Sequence, residues 1–123
     1  MAALLAAFAG PVSATDIECV VGNKVSADLG EGVAMHTCLW EKEPALVIRT
    51  GPIELVKNGI LILQAQTNLD GKLHGEFTSW SDDGVVILRG NYVEGLKQGP
   101  WLETDDNGKS QTILYRNGNP VEP

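Results

Sequence analysis

Basic residues are scarce in this 123-residue sequence, which has nine Lys plus Arg against 16 Asp plus Glu and a formal net charge of −7. Phosphate backbones and anionic membrane surfaces are bound by clustered positive charge, so both are poor partners for this chain. Long apolar runs are also missing, whereas a membrane span needs about 20 apolar residues in succession. The length fits a single compact domain.

Residues that commonly carry catalysis are few. Histidine occurs only at His36, in an apolar run, and at His74, in a short glycine-bounded link. We interpret the first as a hydrogen-bonded structural residue and the second as a polar turn residue. No serine lies in a Gly-x-Ser-x-Gly motif, and the one loop that resembles a calcium-binding EF-hand has Leu114 where the bidentate Glu is needed. We therefore predict no catalytic residue, metal or cofactor.

The N-terminus indicates an exported protein. Residues 1–10 are apolar and uncharged, and residues 11–14 form a small-residue pattern of the kind cleaved by signal peptidases. The sequence predicts a signal peptide over residues 1–14, a periplasmic or secreted location, and no membrane insertion after cleavage. The alternative is a short apolar helix at the start of the mature chain.

Two cysteines, Cys19 and Cys38, fall after this segment and have neither a Cys-x-x-Cys spacing nor a histidine pair to suggest zinc. A disulfide is their simplest use in an exported protein. Closing a loop of this size would stabilise the fold by about 3 kcal/mol. Two separate buried thiols are the alternative.

Glycine, with 14 residues, is the abundant feature, and it recurs with a period of 24. Gly51, Gly75 and Gly99 superpose, and each is followed two positions later by a large apolar residue. Asx-Gly pairs, which favour type I′ hairpin turns, fall within each unit: Asn58-Gly59, Asp83-Gly84 and Asn107-Gly108. The pattern predicts three β-hairpins over residues 51–118, preceded by a β segment over 15–50 and followed by a tail over 119–123.

The apolar runs at residues 60–63 and 85–88 are continuous rather than alternating, which is typical of strands covered on both faces. We expect the segment 15–50 to provide that cover. No segment has helical spacing. The prediction is an all-β fold in which consecutive hairpins build one elongated antiparallel sheet, with the N-terminal β segment packed on it.

Two stretches, GKLHGEFTSWSDDG at 71–84 and NYVEGLKQGPWLETDDNG at 91–108, resemble the variant MORN repeats of bacterial YwqK-family antitoxin components. The resemblance covers about half of the chain, between Gly51 and Gly118. It implies stacked hairpins in an elongated sheet, and a role in protein or surface attachment.

Recurring aromatic residues at 77, 92, 101 and 115 are interpreted mainly as core layers, whereas Trp80 has no repeat counterpart and is flanked by polar residues. Exposed aromatics in polar surroundings suit partner contacts. We therefore predict a partner-binding patch formed by Trp80, Asp82, Trp101 and Glu103.

Three functions remain open. The first is an exported, non-catalytic binding or scaffold module for a protein partner. The second is an antitoxin or immunity protein that masks a basic effector, for which the acidity is suited. The third is a small carbohydrate-binding or carbohydrate-active protein. Because open sheet edges invite pairing, a homodimer is also possible.

Overall fold

The computed structural model describes residues 12–13 and 17–121, and this part of the chain is all β, as predicted. Its strands in chain order are β1 Val12–Ser13, β2 Asn23–Gly30, β3 Val33–Glu43, β4 Leu46–Lys57, β5 Ile60–Thr67, β6 Gly75–Trp80, β7 Val86–Val93, β8 Leu96–Thr104, β9 Ser110–Arg116 and β10 Asn119–Pro120. The described residues include no helix long and apolar enough to cross a membrane.

Strands β2 to β10 lie side by side in sequence order, and each pairs antiparallel with the next. The three predicted hairpins are present as β4–β5, β6–β7 and β8–β9. Gly51, Gly75 and Gly99 all have φ between 82° and 104°, a backbone region that glycine enters without steric cost. The 24-residue period therefore reflects a backbone bend repeated once per hairpin.

The turns within the hairpins are of two kinds, which corrects part of the prediction. Asn58 and Gly59 both have positive φ, as type I′ requires. At the other two Asx-Gly pairs only the glycine does. These turns are longer, because Gly84 N donates to Ser81 O and Gly108 N donates to Asp105 O. Asp105 Oδ1 also accepts from the amides of Asn107 and Lys109, both at 2.9 Å. The acidic and polar residues of this turn thus shape its backbone.

The N-terminal segment joins the sheet edge to edge, through the pairing of β2 with β3 and of β3 with β4. The predicted boundary at residues 50 and 51 falls inside β4, so the segment and the first hairpin share a strand. The predicted disulfide between Cys19 and Cys38 is present. Most of the predicted signal peptide lies outside the described residues. Its Val12 and Ser13 pair with Leu61 and Ile60 of β5.

Burial is uneven along the sheet. Apolar and small side chains are buried mainly in β3 to β5, where Cys38, Val56, Leu61 and Ala65 lie. The run 85–88 is not covered on both faces as expected, because Val85 is 46% and Ile87 39% exposed. The N-terminal segment extends the plane of the sheet at the other end and leaves this face of β7 open.

Candidate binding surface

Four aromatic rings from strands β6 to β9 form a stack on one face of the sheet, which we call the inner face. Trp101 is at its centre, with ring centroids 5.8 Å from Phe77, 4.9 Å from Tyr92 and 6.4 Å from Tyr115. Two of these contacts are edge-to-face, an arrangement that aromatic quadrupoles favour. The recurring aromatics are therefore layers of a core.

Gly90 of β7 provides the floor for the central indole. A Cβ at this position would overlap the Trp101 ring, so only glycine lets the ring lie against the backbone. The indole Nε1 donates to the carbonyl oxygen of Asn91 at 3.1 Å, which satisfies the one polar group of a side chain that is 0% exposed.

Polar groups cover this stack. Lys97 Nζ lies 4.8 Å from the Trp101 ring centroid, 4.7 Å from that of Tyr115 and 3.6 Å from Glu103 Oε2. Tyr115 donates its hydroxyl hydrogen to the same carboxylate oxygen at 2.9 Å. This hydrogen bond, then desolvation and the negative charge of Glu103, raise the pKa of Tyr115 above its ordinary value.

The predicted patch is therefore divided between two places. The assignment of Trp101 to this patch is wrong, because its side chain is fully buried and offers no surface to a partner. Glu103 lies beside it and binds Tyr115 and Lys97. Trp80 is half-buried at the end of β6, and Asp82, in the turn that follows, forms an ion pair of 3.0 Å with Lys57.

A groove of about 400 Å³ lies on the opposite face of the same strands, which we call the outer face. Because side chains alternate along a strand, the neighbours of the stacked rings point to this side. The groove combines polar and apolar lining groups. Its polar side chains are Glu76 and Thr78 of β6, Arg89 and Asn91 of β7, Gln98 of β8 and Thr112 of β9, and its apolar surface comes partly from Pro100 and Leu102 of β8. The sequence-based prediction missed this groove, although polar residues alternate with the aromatic residues along β6 to β9 and this pattern indicates a polar opposite face.

Exposed apolar side chains surround the groove. Ile87, Val93, Leu96 and Leu114 are each at least 39% exposed, and alternation places all four on the outer face with the groove residues. The outer face thus combines an arginine, several amides and hydroxyls, and accessible apolar area.

Successive hairpins are also latched at their turns. His74 Nδ1 accepts a hydrogen bond from the amide of Glu94 at 3.1 Å. Gln98, which is 24 residues later, accepts with Oε1 from the amide of Asn117 at 2.9 Å. The interpretation of His74 as a polar turn residue agrees with this geometry. His36 shares a hydrogen bond of 2.7 Å with Ser26 Oγ.

In the described part of the chain, no group of three or more His, Cys, Asp or Glu side chains is placed to hold a metal ion. Comparison with known proteins found no matching family model, no similar curated protein and no similar solved structure. The site must therefore be interpreted from its own chemistry.

Proposed function

We propose that the protein is an exported, non-catalytic binding or scaffold module that presents the outer face of β6 to β9 to a protein partner, in the manner of MORN-like repeats. The groove around Arg89 carries this proposal. Interfaces are enriched in arginine and combine apolar contact area with hydrogen-bonding groups. The aromatic stack lies on the inner face, so a partner can bind the outer face without displacing the stacked rings.

Export is part of the proposal. The disulfide between Cys19 and Cys38 is a feature of proteins from oxidising compartments, and it supports a periplasmic or secreted location. Expression in a bacterial host with an intact export system should yield a periplasmic or extracellular chain that starts at Thr15. Detection of only the uncleaved chain in the cytoplasm would refute this part.

The partner proposal is tested by affinity capture with the exported protein and two matched charge reversals. Arg89→Glu changes the groove, whereas Arg49→Glu changes an exposed arginine of β4. We expect Arg89→Glu to reduce recovery of specific partners by about tenfold or more, because a central interface arginine is a common hot spot. Arg49→Glu should recover them as the unmodified chain does.

A third variant, Trp80→Ala, tests what remains of the predicted patch. If it removes partners that Arg89→Glu retains, the end of β6 rather than the groove is the contact surface. Equal recovery by all variants would contradict both surfaces.

A second candidate is an immunity or antitoxin role toward a basic effector. The net charge of −7 favours it, as do exposed carboxylates in two turns at the same end of the sheet, Asp82 and Asp83 in one and Asp105 and Asp106 in the other. Charge steering accelerates such encounters and weakens steeply with salt. A basic captured partner with a strongly salt-dependent association rate would favour this role over a general scaffold.

A further inference from the structure

The two ends of the sheet differ in how their edges are covered. At the C-terminal end, β10 is two residues long, contains Pro120 and covers part of β9. Val121 N extends this cover by donating to Leu114 O at 2.7 Å. Short edge strands and proline are devices that blunt an edge against pairing.

At the N-terminal end, β2 is eight residues long and mostly exposed, and no strand in the described part of the chain pairs with its outer side. Its regular part runs from Asn23 to Asp28, because a bulge interrupts the pairing with β3 after Asp28. Unpaired backbone groups along a strand of this length form a template for another strand.

The side chains of β2 are complementary to themselves in one register. A two-fold axis perpendicular to the sheet keeps each side chain on its own face. One residue of β2 must then lie directly opposite its own copy, with the axis midway between the two. With the axis at Ser26, Lys24 lies opposite Asp28 of the second copy, and Val25 lies opposite Ala27. Moving the axis to Val25 or Ala27 places Lys24 opposite Ser26 or Gly30 and loses the charge pairing.

We propose that β2 is a homodimerisation edge, and that two copies pair antiparallel about Ser26 into one continuous sheet. Two Lys24–Asp28 pairs, one on each side of the axis, select this register, since opposite charges facing each other across a strand pair are favourable and like charges are not. Pairing of β2 with the partly covered β9 of another copy would be head-to-tail and would produce open chains rather than a closed dimer.

Charge reversal tests the register in the disulfide-bonded full chain by sedimentation equilibrium. Lys24→Glu and Asp28→Lys should each raise the dimer dissociation constant by about tenfold, because each places two pairs of like charges opposite one another. The combined variant restores opposite charges and should return the dissociation constant to that of the unmodified chain. Circular dichroism of each variant separates weaker pairing from loss of the fold.

Cysteine crosslinking tests the position of the axis. Ser26→Cys places two thiols directly opposite, about 5 Å apart at Cβ, and mild oxidation should join most of the dimer through this residue. The matched control is Leu29→Cys, exposed on the same strand but about 20 Å from its own copy in this register; it should remain uncrosslinked. A monomer at every concentration, a dimer insensitive to the reversals, a combined variant that fails to recover, or equal crosslinking by the two cysteines would each overturn the proposal.

Discussion

The two halves of the sheet use the same hairpin plan but are held together differently. In β2 to β5, a disulfide ties Cys38 to the segment before β2, and the buried residues are small, aliphatic or polar. Among the described residues of β6 to β10, Trp101 is the only buried apolar side chain, and its ring contacts join four strands. A single-layer repeat can thus be stabilised by a covalent link in one half and by stacked rings in the other.

The junction between the halves is narrow. Strands β5 and β6 pair at Leu63 with Ser79 and at Gln64 with Thr78. The other links across the junction include the bridge between Thr67 and Leu73, the hydrogen bond from His74 N to Gln66 O and the Lys57–Asp82 ion pair. Neighbouring repeats stabilise one another through their shared interface. Across a short interface, a loss of stability in one half therefore has little effect on the other half. We therefore expect each half to respond mainly to changes in its own core.

The largest effect is expected from Trp101→Ala. Removing a buried indole costs about 4 kcal/mol, because apolar contacts are lost and a cavity remains. Urea unfolding measures this loss. Trp80→Ala is the control, since Trp80 is only half-buried and should cost clearly less; equal losses would contradict the central role of Trp101.

The second largest effect is expected when both cysteines are replaced together by alanine. The loop between Cys19 and Cys38 spans 19 positions, and opening it should lower the free energy of unfolding by about 3 kcal/mol. Reduction of the unmodified chain should give a similar loss in the same urea assay. A loss below about 1 kcal/mol would show that burial of the side chain at position 38, rather than the covalent link, stabilises β2 to β5.

A smaller effect is expected at the latch between hairpins. His74→Ala removes an acceptor from the Glu94 amide and should cost about 1 kcal/mol. His74→Gln should cost little, because Gln98 makes the same contact one repeat later. Equal destabilisation by the two variants would mean that the imidazole is needed for another reason.

The smallest effect concerns the pH dependence of the aromatic half. The pKa of Tyr115 is raised in the folded chain, so its contribution to stability is fully present below the unfolded value of about 10 and is lost as pH rises through the folded pKa. In a Tyr92→Phe background, tyrosinate absorbance reports Tyr115 alone among the tyrosines of the chain. Glu103→Gln should lower its pKa, and an unchanged titration would exclude Glu103 as the cause.

Much of the fold could be predicted, because glycine spacing and Asx-Gly pairs are local signals with direct backbone consequences. The turn at Glu94 and Gly95 was harder, since Glu94 adopts a positive φ of 50° that its residue type rarely takes. The longer turns had a usable signal in Ser81 and Asp105, which stand three residues before their glycines and bind the turn backbone.

The site was less predictable, because it depends on which residues face each other across strands. Trp101 is buried by Gly90, which is 11 positions earlier in the chain, and no local pattern connects the two. A glycine inside a strand marks a close approach by another group, but the partner is known only once the register is known. The same register separates the aromatic face from the groove.

Hydrogen exchange tests the separation of the two halves most directly, with amide protection mapped in the unmodified chain, in Trp101→Ala and in the double cysteine variant. The account predicts that Trp101→Ala lowers protection mainly in β6 to β9, and that loss of the disulfide lowers it mainly in β2 to β4. An equal loss of protection across all strands in both variants would contradict it, because the sheet would then open as one cooperative unit.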